Sequence, residues 1–183
     1  HDYRQTLFVC SVQAAKASDG TAFERFSSQG PVALLPMADG RYGAVCGVAD
    51  VQAEGIGQLS DAAFAGYLQS RFGWRVGKIL QVGARSHYPI RRVLAERLTA
   101  PSVFILGNAA QTIHPIGAQG FNLGLRDALT FADVLDGPDP GDAVLLETYR
   151  LARQEDRERT LAFSDGLARA TANDSLSMQL LRS

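Results

Sequence analysis

The first half of the chain alternates between short apolar runs and polar connections. Four runs are rich in β-branched and other apolar residues, at positions 7–14, 32–35, 42–48 and 79–82. Runs of this length and composition predict β-strands. Between the second and third runs, Asp39 and Gly40 form a pair that favours a tight turn, because glycine accepts a positive φ. The pattern therefore predicts an antiparallel hairpin centred on residues 38–41.

Three stretches have helical spacing. The first begins at Ser60, a good N-cap residue, and ends at Gly73. The second ends before Gly137 and Pro138, and the third starts near Asp142, so residues 136–142 are predicted to be a linker or exposed turn. Apolar residues mark one face of each helix. They are Phe64, Tyr67, Leu68 and Phe72, then Leu125, Ala128, Leu129, Ala132 and Leu135, then Leu145, Leu146 and Tyr149.

A continuous apolar run at positions 103–106 is typical of a strand covered on both faces, as in a parallel sheet. Gly107 ends this strand, and Asn108 places an amide at its carboxyl end, where open α/β sheets bind ligands. Gly117 and Gly120 let the backbone approach a flat ligand. The next helix begins with free N–H groups, which stabilise negative charge. The alternative is an ordinary strand–loop–helix connection whose glycines serve only for turning.

Composition narrows the classes of function. The chain has 183 residues, of which 46% are hydrophobic and 20% charged, with a net charge of −1. These values are ordinary for a soluble globular protein and give no electrostatic case for binding nucleic acid. Cys10 and Cys46 are predicted to be reduced core residues, and the scattered histidines predict no metal site. No run is long and apolar enough to span a membrane. Both ends look interrupted, as in the apolar pattern of residues 178–183, so we expect a fragment of a longer protein.

The segment from Gly107 to Asp127 closely resembles the second flavin-binding motif of the FAD-dependent aromatic hydroxylases with the para-hydroxybenzoate hydroxylase fold. That motif runs Gly-Asp-Ala-Ala-His, a proline-containing loop, Gly-Xaa-Asn and a helix carrying Asp. This chain has Gly-Asn-Ala-Ala-Gln at 107–111 and His-Pro-Ile at 114–116. The variant is similar to the ubiquinone-biosynthesis branch, and within it to the 2-polyprenyl-6-methoxyphenol hydroxylases. Residues 22–26, 30–37, 72–75 and 88–89 are similar too, so the resemblance covers most of the chain.

The resemblance implies flavin contacts along this segment. Asn108 stands where the family usually has an Asp that contacts the ribityl hydroxyls, and an amide can make such hydrogen bonds. Pro115 matches the proline beside the isoalloxazine ring. Phe121 and Asn122 match residues whose backbone N–H groups bond the pyrimidine edge, which is anionic in reduced flavin. The predicted flavin-binding residues are Gly107, Asn108, Pro115, Gly117, Gly120, Phe121 and Asn122. No side chain is predicted to be a proton-transfer catalyst.

Two features depart from the family pattern, and one of them departs from the pattern of the branch as well. The branch usually has Ala-Gly-Gln-Gly where this chain has Gly-Ala-Gln-Gly at 117–120, so we expect the Cβ of Ala118 to crowd or shift the ring. Gln111 replaces the commoner His of the family, a change that the branch shares.

Three other stretches are interpreted as structural. Residues 55–60 half-match a dinucleotide fingerprint, but the third glycine and the preceding buried strand are missing, so we do not predict a phosphate loop there. For residues 85–88 a structural role is favoured over contact with substrate or flavin. Residues 153–159 have mixed charge and predict a solvated helix face, with Glu155 and Arg159 paired.

The predicted fold is mixed α+β and α/β, in three parts. Residues 1–98 form a portion of a β-sheet substrate domain. Residues 99–137 form a flavin-binding strand, loop and helix, the C-terminal portion of a truncated, doubly wound FAD-binding domain. Residues 138–183 form a C-terminal helical segment.

The resemblance implies part of a FAD-dependent monooxygenase that hydroxylates a prenylated phenol in ubiquinone biosynthesis, using NAD(P)H and O2. We expect a cytoplasmic protein, with possible association at the inner membrane or with a biosynthetic complex. The isolated chain is expected to self-associate, to lack FAD and to be inactive. Two alternatives stay open. One is another flavin enzyme of this fold, a reductase or halogenase, and the other is a non-catalytic assembly or binding fragment.

Overall fold

The computed structural model describes residues 1–27, 29–135 and 139–172, and these form two compact units. We call Asp2–Ile90 the sheet unit, and Arg91–Ala170 together with His1 the loop–helix unit. Residues 136–138 of the predicted linker and the predicted apolar pattern at 178–183 lie outside the described residues. The three-part division of the chain stays a prediction.

The sheet unit is built on a six-stranded sheet with the strand order β2-β3-β4-β1-β5, and β6 pairs with β1. Antiparallel pairing joins β1 to β4 and β5, and β3 to β2 and β4. All four predicted strands are confirmed, as β1, β3, β4 and β5. The bounds are β1 Asp2–Ala14, β2 Phe23–Arg25, β3 Val32–Pro36, β4 Tyr42–Ala49, β5 Ile79–Val82 and β6 Ser86–Arg91.

The predicted hairpin joins β3 to β4. Gly40 has a φ of 79°, and its N–H donates to the carbonyl of Met37 at 3.1 Å. The N–H of Met37 donates in turn to the carbonyl of Arg41 at 3.0 Å. The turn therefore forms because glycine occupies the position that needs a left-handed backbone.

Two helices, α1 (Asp50–Gly57) and α2 (Asp61–Phe72), belong to the sheet unit. The prediction for α2 is confirmed, since Ser60 Oγ accepts from the N–H of Ala63 at 3.3 Å and Gly73 follows the last turn. Residues 55–57 lie inside α1, which agrees with the interpretation that this stretch is not a phosphate loop.

The core of the sheet unit contains the helix residues Phe64 and Leu68 and the strand residues Phe8 and Val48. Arg85 supports this core, because its guanidinium lies 4.9 Å from the ring centre of Phe64 and donates to the carbonyl of Leu59 at 2.6 Å. The structural role predicted for this stretch is thus confirmed at Arg85. The two cysteines, Cys10 and Cys46, are free and buried, and burial raises the pKa of each thiol to about 11.

The loop–helix unit has two two-stranded sheets, β7 with β10 and β8 with β9. The predicted strand at 103–106 is shorter than expected, because β9 covers only Val103–Phe104, and the parallel sheet that the apolar run suggested stays a prediction. β9 pairs antiparallel with β8, and Val103 is half exposed. The bounds are β7 Val93–Leu94, β8 Thr99–Ala100, β9 Val103–Phe104, α3 Gly107–Ala110, β10 Gln111–Thr112, α4 Gln119–Val134 and α5 Ala143–Ala172.

The two long helices of this unit differ in how their apolar faces are covered. In α5, Leu145, Leu146 and Tyr149 are buried as predicted, and Tyr149 packs on Phe104 with ring centres 5.3 Å apart. In α4, by contrast, the predicted apolar face is exposed. None of the helices that the structure describes combines the length and apolar character needed to cross a bilayer.

Candidate flavin-binding site

An open groove of about 550 Å³ lies between α3 and the first half of α4. Four of the seven predicted flavin-binding residues line it, and they come from two separate parts of the chain. The lining residues are Leu106, Gly107, Asn108, Gly120, Phe121, Gly124 and Leu125. The side chains of Asn108 and Phe121 are exposed there, so both are available to a ligand.

The groove is shaped by a close approach between α4 and the end of the apolar run. Gly107 has a φ of 55°, and a Cβ added to Gly124 would lie only 3.2 Å from the Cα of Gly107. A side chain at position 124 would therefore require the helix or the strand end to shift by a few tenths of an ångström. Sequence reasoning missed Gly124. The available signal was its spacing of four residues from Gly120, which places both glycines on one helix face.

The N-terminus of α4 faces this site without a side-chain cap. Its N-cap residue is Ala118, which makes no capping hydrogen bond. Helix geometry leaves the N–H groups of Gln119, Gly120 and Phe121 without intrahelical partners, and their dipoles favour negative charge. Asn122 occupies the next helical position, and its Nδ2 donates to the carbonyl of Ala118 at 3.4 Å.

Pro115 and Gly117 belong to the turn before α4 and are not among the residues that line the groove. Gly117 has a φ of 74°, and an added Cβ would lie 3.4 Å from Phe163 Cε1. Ala118 also has a left-handed backbone, with φ 52° and ψ 32°. That conformation costs an ordinary L-residue roughly 1–2 kcal/mol. The departure from the family pattern at 117–118 therefore appears as backbone strain, while crowding of the ring by Ala118 stays a prediction.

His114 anchors the same turn from inside. It is buried, and its Nδ1 accepts from the N–H of Ile116 at 3.1 Å. Its carbonyl accepts from Ser164 Oγ on α5 at 3.0 Å. Burial lowers the pKa of His114, which favours the neutral imidazole that this contact needs.

Behind the groove lies a buried polar cluster centred on Asp127 of α4. Asp127 Oδ2 accepts from the N–H of Gly107 at 3.1 Å and from Gln111 Nε2 at 2.7 Å. Its Oδ1 accepts from Arg153 Nε of α5 at 2.8 Å, and the two side chains are 3% and 4% exposed. One carboxylate thus ties the start of the flavin-contacting segment to both long helices.

The prediction of a solvated face at residues 153–159 is wrong for two arginines. Arg153 is buried against Asp127, and Arg157 is partly buried against Gln111 and two backbone carbonyls. The predicted pair of Glu155 and Arg159 is confirmed at 2.5 Å, and it is exposed. The missed signal was helical spacing, because steps of four residues from the buried Tyr149 reach Arg153 and then Arg157.

Residues 5–164 match the family described as FAD binding domain. The chain belongs to this FAD-binding family. The residues around the groove fit a flavin. Its three glycines, Gly107, Gly120 and Gly124, expose backbone, Asn108 offers a side-chain amide, and α4 offers N–H groups without intrahelical partners. FAD as the cofactor, predicted from the resemblance, is confirmed at the level of the family.

Two known relatives of this chain are ubiquinone hydroxylases, as the resemblance to the ubiquinone-biosynthesis branch implies. Ubiquinone hydroxylase UbiL of Rhodospirillum rubrum is 34% identical over 185 residues, covering 98% of this chain and 43% of UbiL. Ubiquinone hydroxylase UbiM of Neisseria meningitidis is 32% identical over 154 residues, covering 81% of this chain and 33% of UbiM. The chain therefore spans less than half the length of these curated relatives.

A solved structure shows the same fold. PqsL of Pseudomonas aeruginosa superposes with a TM-score of 0.74 at 21% identity, covering 94% of this chain and 50% of PqsL. The mixed helix-and-sheet fold expected from the resemblance is confirmed in this general form.

Proposed function

We propose that the chain is part of a FAD-dependent monooxygenase that hydroxylates a prenylated phenol in ubiquinone biosynthesis, with NAD(P)H and O2 as co-substrates. The observation that carries the proposal is the groove that brings Gly107 and Asn108 together with Gly120 and Phe121 at the N-terminus of α4. The similarity to UbiL and UbiM, both ubiquinone hydroxylases, supports the class of substrate.

The proposed roles follow from these positions. Asn108 bonds the ribityl hydroxyls, while Gly107 and Gly120 leave room for the ring beside the backbone. The N–H group of Phe121 faces the pyrimidine edge, with Asn122 next to it in the first turn of α4, Pro115 beside the ring and Gly117 in the turn that presents them. The N-terminus of α4 stabilises negative charge on the reduced ring. Bound FAD supplies the redox chemistry with NAD(P)H and O2, and the protein supplies position and polarity.

The test uses the whole protein. Its visible absorbance is recorded first, and NAD(P)H oxidation is then followed with and without a prenylated phenol, with mass analysis of the product. The proposal expects flavin bands and a product heavier by one oxygen. NAD(P)H oxidation without oxygen insertion would identify a reductase instead, and halide incorporation would identify a halogenase. A protein without flavin bands would refute the function.

A second proposal concerns the chain by itself. On α4, Phe121, Leu125 and Leu129 are 80%, 48% and 56% exposed and share one face. Contiguous apolar surface of this kind is typical of an interface. We propose that copies of the isolated chain associate through this face. Light scattering that shows a monomer at high concentration would contradict it.

We also propose that the pyrophosphate of FAD binds outside this chain, in a doubly wound FAD-binding domain of which residues 99–137 are one portion. The support is that the chain spans less than half of UbiL and that residues 55–57, its only half-match to a dinucleotide fingerprint, lie inside α1. The isolated chain should then bind FAD weakly and be inactive, as equilibrium dialysis can measure. A cytoplasmic location, peripheral to the inner membrane, completes the proposal, and cell fractionation tests it.

A further inference from the structure

We propose that Arg157 and Gln111 are positioning residues that hold the flavin-contacting segment from behind. The inference rests on the proposed function, because it concerns how the groove between α3 and α4 keeps its shape. Neither side chain lines that groove, so neither is assigned a contact with the flavin.

Arg157 joins one helix to two distant stretches of chain. Its Nε donates to Gln111 Oε1 at 2.9 Å. Its Nη2 donates to the carbonyl of Ala110 at 3.2 Å and to that of Ala95 at 3.3 Å. The forked guanidinium makes these contacts from a single position on α5, which a lysine cannot do in the same geometry. Arg157 thereby fixes the end of α3, two residues after Asn108.

Gln111 connects Arg157 to Asp127 and, through Asp127, to Gly107 at the start of the flavin-contacting segment. The side chain is buried, with Oε1 facing Arg157 and Nε2 donating to Asp127 Oδ2 at 2.7 Å. The same oxygen of Asp127 accepts the N–H of Gly107, the first predicted flavin contact. The order of contacts is therefore Arg157, Gln111, Asp127 and Gly107, and each link is a hydrogen bond within the described residues.

The chemistry of position 111 is narrow, because the side chain must accept from a cation and donate to an anion. A glutamine does both and carries no charge. A neutral histidine also has one acceptor and one donor, but an imidazolium has two donors and would face Arg157 with a like charge. The other charged groups of the cluster are Asp127 and Arg126 on α4, and Arg153 and Asp156 on α5. The amide at 111 therefore makes the position of the segment independent of protonation at this residue.

The experiment measures the dissociation constant of FAD from the whole protein for four forms: native, Arg157→Met, Arg159→Met and Gln111→His. Arg159 is the matched control, since it lies on the same helix and its side chain is 77% exposed. We expect Arg157→Met to weaken FAD binding by on the order of tenfold, because hydrogen bonds from a charged donor are lost. Arg159→Met should bind FAD as the native protein does.

The histidine variant supplies a readout that a loss of folding would not reproduce. At about pH 8 the imidazole is neutral, and Gln111→His should bind FAD within a few-fold of the native protein. Burial and the facing Arg157 lower the pKa of this imidazole, whereas Asp127 raises it, so an NMR titration of the variant locates that pKa first. Below the measured pKa, the variant should bind FAD on the order of tenfold more weakly than the native protein at the same pH. A melting curve at each pH confirms that the variants are folded.

The outcomes separate the two proposals. A native protein that binds no FAD refutes the proposed function. A native protein that binds FAD, with Arg157→Met equal to it or with Gln111→His binding FAD equally well above and below its measured histidine pKa, overturns only this inference. If Arg157→Met does not fold, the pH dependence of Gln111→His decides alone.

Discussion

The buried ion pair between Asp127 and Arg153 gives the sharpest prediction about stability. Replacing Arg153 by Met removes the bond from Arg153 Nε to Asp127 Oδ1 at 2.8 Å and the bond to Asp156 at 2.6 Å. Met fills much of the same volume. Asp127 would then keep only the hydrogen bonds from Gly107 and Gln111 and would lose its facing charge.

The size of the expected loss in unfolding free energy follows from the burial of both charged side chains. Removing one partner of a buried pair usually costs about 3–5 kcal/mol, because the other charge is left uncompensated. The two remaining donors to Asp127 offset part of this, so we expect about 3 kcal/mol. That is a large share of the roughly 5–15 kcal/mol that stabilises a typical domain. For a chain of this size it corresponds to a fall of roughly 6–12 °C in the melting temperature.

Urea unfolding of the chain measures the effect, with Arg159→Met as the control. The control pair is exposed, with side chains 77% and 73% accessible, and such pairs contribute under about 1 kcal/mol. Combining Arg153→Met with Asp127→Leu should recover only part of the loss, because it removes the uncompensated charge but leaves the N–H of Gly107 and Gln111 Nε2 without their acceptor. Equal unfolding midpoints for Arg153→Met and Arg159→Met would refute the reasoning.

Three further predictions concern the turn and the exposed helix face. Ala118→Gly should raise the melting temperature by relieving a φ of 52°, and Gly117→Ala should lower it because of its φ of 74°; shifts of the same sign would contradict this. Burial lowers the pKa of His114 below its ordinary value of 6.5. The folded state is therefore most stable above pH 6.5 and loses stability as the pH falls below that value, and His114→Gln should reduce this loss in melting curves. Unchanged slopes would show that another group is responsible. Replacing Phe121 and Leu125 by Lys should shift the isolated chain towards monomer in light scattering, and unchanged association would exclude this face.

Local chemistry made much of the fold predictable. The hairpin at 38–41 depends on a glycine in a left-handed turn, and α2 depends on Ser60 and Gly73 at its ends. These features need only neighbouring residues. The strand at 103–106 differed because the partners of a strand lie elsewhere, and the pattern of one run does not reveal them.

The candidate site was predictable in part, for a similar reason. Helical spacing shows which residues share a face of α4, but not what covers that face. The sequence therefore placed Leu125 and Leu129 on one apolar face without revealing that this face is exposed. The charge run at 153–159 suggested solvent, whereas Arg153 finds its counter-ion 26 positions away on another helix. A pairing over that distance depends on the tertiary fold, which the local pattern does not encode.

The most direct test of the central claim is a flavin titration of the whole protein carrying Asn108→Leu, with Arg159→Leu as the control. Asn108 lines the groove and Arg159 lies in an exposed pair. Leaving a ribityl hydroxyl without its partner should cost about 1–3 kcal/mol. The account therefore predicts FAD binding that is roughly ten- to a hundredfold weaker for Asn108→Leu and unchanged for Arg159→Leu. Equal affinities of both variants would show that Asn108 does not touch the cofactor, and the site would have to be withdrawn.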